Sequence, residues 1–271
     1  MNEVARNIAP QTDKMLSRKE NGVGHLIFNN PERHNAVSLD MWEAAREILD
    51  DFVRDDAVRV VVVRGAGEKA FVSGADISKF EDERAEAEAV RRYDEATEGV
   101  YAGLLDYPKP TIAMIHGYCI GGGANLAVCC DLRICGDTAR FAVPAARLGL
   151  GYGYTRVRRL MNLVGPAFAK EIFFTARQFT AEEAFAMGLV NRVVPQAELE
   201  TYVADYAWRI AENAPLTVNS IKRIVGEVLK DPEARDLALC DRLVRECFES
   251  ADYAEGRRAF MEKRKPVFAG R

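Results

Sequence analysis

Residues Val58 to Val63 form an almost unbroken valine run, and no other feature limits the folds open to this chain as strongly. A strand with one face in water alternates apolar and polar residues. A run apolar at nearly every position is buried on both faces, as in a parallel sheet covered by helices. Pro110 to Ile115 reads as a second buried strand, and Leu132 to Cys135 is strand-like again. Val23 to Asn29 alternates and reads as a strand, closed by the turn Asn30-Pro31-Glu32-Arg33. Ser38 is a candidate N-cap for a helix with apolar positions Leu39, Trp42, Ala45, Leu49 and Phe52. Glu81 to Tyr101, charged and alanine-rich, reads as an exposed helix or a mobile lid, and Gly123 to Cys130 as a short helix buried on most sides. After about Gly165 the pattern turns helical: Pro166 to Phe174, Ala181 to Met187 with Gly188 as its C′ glycine, Ala197 to Asn213, Pro215 to Leu229, and Glu233 to Lys263 with breaks. The expectation is an α/β core over residues 1–195 followed by a helical C-terminal region over 196–271. That region is too thin to bury its own apolar faces, so it packs on the core or on a neighbouring subunit.

Composition excludes several classes. The chain has 271 residues, is 48% hydrophobic and 29% charged, and carries a net charge of −4, which fits a soluble globular protein and argues against nucleic acid. Arg156, Arg158 and Arg159 cluster, as a solvated face or as a small-anion site. No apolar run approaches the roughly 20 residues of a membrane span. Met1 to Gln11 lacks a signal-peptide pattern, so a cytoplasmic location is expected. The six cysteines, Cys119, Cys129, Cys130, Cys135, Cys240 and Cys247, fit neither a zinc nor a disulfide spacing and read as reduced, mostly buried thiols. His25, His34 and His116 are not spaced as a metal set, so no metal is implied.

Chemistry enters through two glycine-bearing turns. The first is Ser73-Gly74-Ala75-Asp76-Ile77 after the strand Ala70-Phe71-Val72. The second is Gly117-Tyr118-Cys119-Ile120-Gly121-Gly122-Gly123. Gly74 permits a tight fold after its strand, leaving the Ala75 N–H free to point away from strand pairing. Asp76 reads chiefly as an acceptor for local N–H groups that fixes the turn. The triple glycine opens a helix whose N-terminal N–H groups favour an anion. Two such donors aimed at one point make an oxyanion hole, suited to an enolate or a tetrahedral oxyanion. Other glycine motifs are excluded. The chain has no G-x-x-x-x-G-K-[ST] and no G-x-S-x-G, and Gly149-Leu150-Gly151-Tyr152-Gly153 is not a dinucleotide fingerprint.

These two turns resemble the oxyanion segments of the crotonase (enoyl-CoA hydratase/isomerase) superfamily. Other segments resemble it in order along nearly the whole chain: Asn30-Pro31-Glu32-Arg33-His34-Asn35-Ala36, Cys130-Asp131-Leu132-Arg133, Thr180-Ala181-Glu182-Glu183-Ala184, Met187-Gly188-Leu189-Val190-Asn191 and Glu255 to Pro266. The resemblance implies an α/β, crotonase-like spiral of ββα units with a C-terminal helical trimerisation region, assembled as a homotrimer or a dimer of trimers. It implies an acyl-CoA thioester substrate, with no cofactor beyond the CoA moiety and a place in fatty acid metabolism. The N–H groups of Ala75 and Gly122 would hold the thioester oxygen as it becomes an enolate. CoA would lie against Arg33, Ala36, Ser73 and Ile77, with Phe260 and Lys263 reaching its nucleotide end from the same or the next subunit.

The chain also departs from that family. Its hydratases carry two glutamates, and the matching positions here are Asn125 and Ala145. Neither side chain exchanges a proton near neutral pH, whereas water addition needs an acid and a base worth about 10² to 10⁴ each. The family's isomerases commonly use the second of these carboxylates, which is missing too. Asn125 reads as a donor to the acyl group or an ordered water, or as a structural residue of its helix. Tyr152 resembles a tyrosine of the family's methylmalonyl-CoA decarboxylases, and similarity to them runs through Lys170 to Ala176, although they place a histidine where Ala75 stands. Tyr152 is a proton donor on one reading and a packing residue on the other. Arg147 is a further candidate to face a substrate carboxylate. The expected function is an acyl-CoA lyase or isomerase of the enoyl-CoA hydratase/isomerase type without the usual glutamates. The alternatives are a decarboxylase of a malonyl-type acyl-CoA and, from another class, a non-catalytic CoA-thioester-binding protein.

Overall fold

The computed structural model describes residues 12–76 and 87–271. Ile77 and the first part of the segment read as an exposed helix or lid lie outside the described residues. Strand β1 (Met15–Glu20) pairs antiparallel with β2 (Val23–Phe28) across Asn21-Gly22, both at positive φ, 50° and 79°. An Asn-Gly pair suits such a two-residue hairpin because both positions tolerate the left-handed region. From β2 the sheet continues in parallel through β3 (Val60–Gly65), β5 (Thr111–Ile115), β7 (Leu132–Gly136) and β10 (Arg192–Val194).

A second, four-stranded sheet runs β4 (Ala70–Val72), β6 (Tyr118–Ile120), β8 (Arg140–Ala142) and β9 (Phe179–Thr180). Its first three strands are parallel and β9 is antiparallel. Successive strands alternate between sheets: β3 then β4, β5 then β6, β7 then β8. A helix follows each pair: α2 (Ala87–Leu105), α3 (Gly122–Cys129) and α4 (Tyr154–Thr175). This is the spiral of ββα units expected from the resemblance.

The valine run behaves as its composition demands. Val61 and Val63 point into one apolar cluster, with Met41, Trp42, Ala45, Ile48, Leu49 and Phe52 of α1 (Leu39–Arg54). Val60 and Val62 point into the other, with Leu199, Val203, Ala207 and Ala211 of α6 (Leu199–Ala211). Both helices present residues at i, i+3 and i+4 spacing, so each offers one apolar stripe to a flat sheet. Burying each valine stabilises the fold by roughly 2 kcal/mol against the unfolded chain.

Three expectations need correction. Helix α2 is not simply exposed: Tyr93, Thr97, Val100, Tyr101 and Leu104 are buried along one face. The tail is not purely helical after Gly165, because β9 and β10 each complete a sheet edge. Helix α4 starts well before Pro166 and is interrupted at Gly165, whose φ of 74° and ψ of 169° are not helical. Helix α5 (Ala181–Ala186) begins with a capping box in which Thr180 and Glu183 satisfy each other's backbone N–H groups. The last helices are α7 (Pro215–Val228), α8 (Leu237–Glu249) and α9 (Ala251–Glu262). They leave Ile221, Val225, Phe248 and Phe260 exposed.

Candidate active site

The site forms where parallel neighbours of the small sheet end. Strands β4 and β6 are hydrogen-bonded side by side and run the same way, so their exits leave the sheet together, about 4.8 Å apart. The β4 exit turns at Gly74, whose φ of 111° excludes ordinary side chains. A Cβ added to Gly74 would lie 3.8 Å from the Gly122 nitrogen, so the two turns touch. At Gly123 a Cβ would penetrate the Val72 carbonyl, and only glycine allows helix α3 to start this close to β4.

The loop after β2 fixes the Ala75 turn. Val37 N–H donates to the Gly74 carbonyl at 2.9 Å, and Asp76 N–H donates to the Val37 carbonyl at 3.0 Å. This parallel bridge uses the groups on either side of Ala75 and turns the Ala75 N–H the other way. Among the described residues the Ala75 N–H has no acceptor. Gly122 opens α3, so its N–H has no intrahelical partner either. Gly121 N–H is tied to the Ala142 carbonyl at 2.8 Å, which anchors the turn to the third strand exit. The arrangement brings two N–H donors into neighbouring turns at a helix N-terminus, a setting suited to charge developing on a carbonyl oxygen.

Asn125 lies one turn into α3 and is buried, and its Nδ2 has no hydrogen-bond partner among the described residues. Ala145, also buried, sits in the 3-10 turn Pro144–Leu148 just past β8. Arg147 on that turn is exposed. Tyr152 is half-buried, its ring 4.8 Å from that of Phe173, and its hydroxyl makes no hydrogen bond among the described residues. Burial pushes the Tyr152 phenol up to about 12, with Arg156 and Arg159 opposing and Cys129 assisting.

The resemblance groups the CoA-facing residues with these turns, and the structure places three of them there. Arg33 reaches Asp76 at 3.3 Å while half of its side chain stays in solvent. Ala36 is buried, its N–H donating to the Arg33 carbonyl at 3.1 Å. Ser73 N–H donates to the His34 carbonyl at 3.1 Å. Ile77 lies outside the described residues. Phe260 and Lys263 stand apart, on α9 and its left-handed C-cap, where α9 packs on α8.

Residues that sequence reasoning passed over complete the surroundings. The Tyr101 hydroxyl on α2 donates to the Gly122 carbonyl at 2.9 Å. Its burial raises the phenol far above the usual range, aided by Tyr152, while the Arg156 guanidinium 5.9 Å from the ring opposes. Glu98, one turn earlier on α2, pairs with Arg159 and lies 3.7 Å from Arg156. Tyr93, Thr97, Tyr101 and Leu104 recur at helical spacing, which is the signal that would have shown α2 to have a buried face.

Known proteins resemble the chain throughout. The enoyl-CoA hydratase/isomerase family profile matches residues 18–271. A short-chain-enoyl-CoA hydratase of Clostridium acetobutylicum is 34% identical over 255 residues, covering 94% of this chain and 97% of that one. A carnitinyl-CoA dehydratase of Salmonella enteritidis is 34% identical over 262 residues, covering 91% and 98%. The crystal structure of an enoyl-CoA hydratase/carnithine racemase from Magnetospirillum magneticum superposes with a TM-score of 0.91 at 38% identity, covering 96% of this chain and 97% of that one. With two glycine turns converging at adjacent strand exits and a profile match over nearly its whole length, this chain belongs to the crotonase superfamily, as an acyl-CoA enzyme of the enoyl-CoA hydratase/isomerase family.

Proposed function

We propose that the protein stabilises an acyl-CoA thioester enolate between the Ala75 and Gly122 N–H groups and works as a lyase or isomerase without the glutamate pair of the family's hydratases. The observation that supports this reading is the close approach of Gly74 and Gly122, two turns whose Ala75 and Gly122 N–H groups have no acceptor among the described residues. Each donor of this kind is worth on the order of 3 kcal/mol to an oxyanionic transition state. CoA lies along Arg33, Ala36, Ser73 and Ile77, with Phe260 and Lys263 at its nucleotide end. The orphaned Asn125 Nδ2 supplies a hydrogen bond to the acyl group or to a held water. Tyr152 delivers the proton, because a phenol that titrates near 12 keeps it throughout the neutral range. No cofactor beyond the CoA moiety is needed for these steps. The exposed apolar face of α7 to α9, with a groove of about 590 Å³ lined in part by Val244, Phe248, Tyr253 and Phe260, supports assembly as a trimer or a dimer of trimers.

A second reading is decarboxylation of a malonyl-type thioester, and one observation favours it: positions 125 and 145 both lack a carboxylate. Loss of CO2 generates the enolate directly, needs no base, and leaves Tyr152 or water to protonate carbon. The test is incubation in D2O with crotonyl-CoA and, separately, methylmalonyl-CoA, followed by mass spectrometry, in which isomerisation registers as deuterium taken up at carbon without addition of water. Isomerisation or slow hydration that collapses in Tyr152→Phe supports the first reading, and CO2 loss without hydration supports the second. Rapid hydration unaffected by Asn125 and Tyr152 substitutions would overturn both. Binding of butyryl-CoA with no turnover of any thioester would leave a CoA-thioester-binding protein.

A further inference from the structure

Arg159 carries a full charge in a place where ordinary surface arginines are not found. Its side chain is only 8% exposed. Nη2 pairs with Glu98, while Nε and Nη1 are buried and have no hydrogen-bond partner among the described residues. A buried donor left unmade costs about 1 to 3 kcal/mol, and more on a charged group. A guanidinium offers its N–H groups in a planar fork that matches a carboxylate edge. Here one prong holds Glu98, and the rest of the fork is buried without an acceptor among the described residues.

The neighbours show which part of the molecule the fork serves. Arg159 lies on α4, which packs against α3, the helix opened by Gly122. Its charge is felt by the Cys129 thiol, one turn past Asn125, and by the Tyr152 phenol. Arg156, one turn earlier on α4, is 3.7 Å from Glu98 and 3.8 Å from the exposed Asp94. Glu98 therefore answers two guanidinium groups at once, and the buried one keeps an excess of positive charge. The second orphaned donor in this region, Asn125 Nδ2, lies on the same helix as the oxyanion turn.

We propose that Arg159 is the receptor for a second carboxylate on the substrate, so that the acyl group is a dicarboxylic one with a free acid at the end away from the thioester. This rests on the acyl-CoA reading of the site. A carboxylate gripped by a guanidinium is stabilised as an anion and leaves less readily as CO2, so the acid bound here is retained through the reaction and serves recognition. The same charge repels a cationic acyl tail such as a trimethylammonium group. The cluster Arg156, Arg158, Arg159 thus resolves into different roles: Arg158 reaches the Leu229 carbonyl at 3.3 Å, Arg156 faces solvent-side carboxylates, and Arg159 faces inward.

Calorimetric titration with butyryl-CoA, succinyl-CoA and glutaryl-CoA tests this, since none of the three can lose CO2 through a thioester enolate. The wild type is expected to bind one of the acidic thioesters at least tenfold more tightly than butyryl-CoA. Arg159→Gln is expected to erase that preference and leave butyryl-CoA affinity unchanged. Glu98→Gln, which removes the competing negative charge without touching the arginine, is expected to strengthen acidic thioester binding several-fold. A purely structural arginine predicts no such gain, so this second variant decides the matter even if Arg159→Gln folds poorly. Equal affinities for all three thioesters in the wild type would overturn the proposal, as would an Arg159→Gln variant that loses all three alike. Failure to bind butyryl-CoA at all would instead remove the acyl-CoA reading on which the proposal stands.

Discussion

The Tyr101 hydroxyl donates to the Gly122 carbonyl at 2.9 Å, so a residue on α2 holds the peptide next to the one that offers its N–H at the site. Trp42 Nε1–H donates to the Tyr93 hydroxyl at 3.1 Å, and Tyr93 donates to the Val37 carbonyl at 3.1 Å. Val37 in turn brackets Ala75. One helix therefore steadies both turns. Tyr101→Phe removes only the hydroxyl, so the Gly122 carbonyl loses its tie to α2 and keeps only its place in the α3 ladder. The expected result is a loss of about 1 kcal/mol of stability in urea unfolding, together with a fall in kcat of about tenfold and little change in KM. A KM effect of the same size would show that Tyr101 serves binding rather than the oxyanion turn.

Glycine-to-alanine replacements should act with opposite signs at two helical positions. Inside a helix the exchange normally stabilises by up to about 1 kcal/mol. Gly226 in α7 has nothing within 4 Å of an added Cβ, so Gly226→Ala should raise the denaturation midpoint. At Gly123 the methyl meets the Val72 carbonyl, and overpacking of that kind costs about 1 to 3 kcal/mol. Gly123→Ala should lower the midpoint and abolish turnover by moving the second turn.

Asn125 should separate stability from activity. Its Nδ2 is buried and makes no hydrogen bond among the described residues, so the nearly isosteric Asn125→Leu removes a desolvation penalty instead of a bond. The melting temperature should hold or rise while kcat drops by tenfold or more. A drop in both would mean that the amide supports the fold and not the acyl group.

His25 gives the fold an acid-side weakness. Burial, with Arg18 and Arg64 adding to it, lowers its pKa from 6.5 to about 4. The unfolded chain takes up a proton near pH 6.5 while the folded chain refuses it until about pH 4. Stability should therefore fall as pH drops through that window, by up to roughly 3 kcal/mol. Urea midpoints between pH 7 and pH 4 should show the loss in the wild type and a shallower slope in His25→Gln.

The large sheet was legible because its strands carry a run long enough to show burial on two faces, as Val60 to Val63 do. Of the small sheet only β4 was legible, as the apolar run Ala70-Phe71-Val72 before a glycine turn; β6 and β8 span three residues each, and too few positions remain to show a period. The Asn21-Gly22 pair announced a hairpin, and β1 was missed only because the charged, alternating Met15–Glu20 was not paired with it. At the site, a free Ala75 N–H could be read from its glycine turn because backbone geometry is local, whereas Gly122 was singled out among three glycines by the family resemblance. Arg159 and Glu98 could not be read this way, because their meaning arises when α2 and α4 come together across the oxyanion helix.

The side-by-side exits of β4, β6 and β8 have one more implication. Ala75, Gly122 and Ala145 follow these strands in turn, like the same slot read from consecutive turns of a screw. The first two slots contribute main-chain groups, which no side-chain substitution removes while the turn survives. The third contributes a side chain, which any single codon change can rewrite. Such a layout lets a lineage alter what happens to an intermediate while the means of forming it stay untouched.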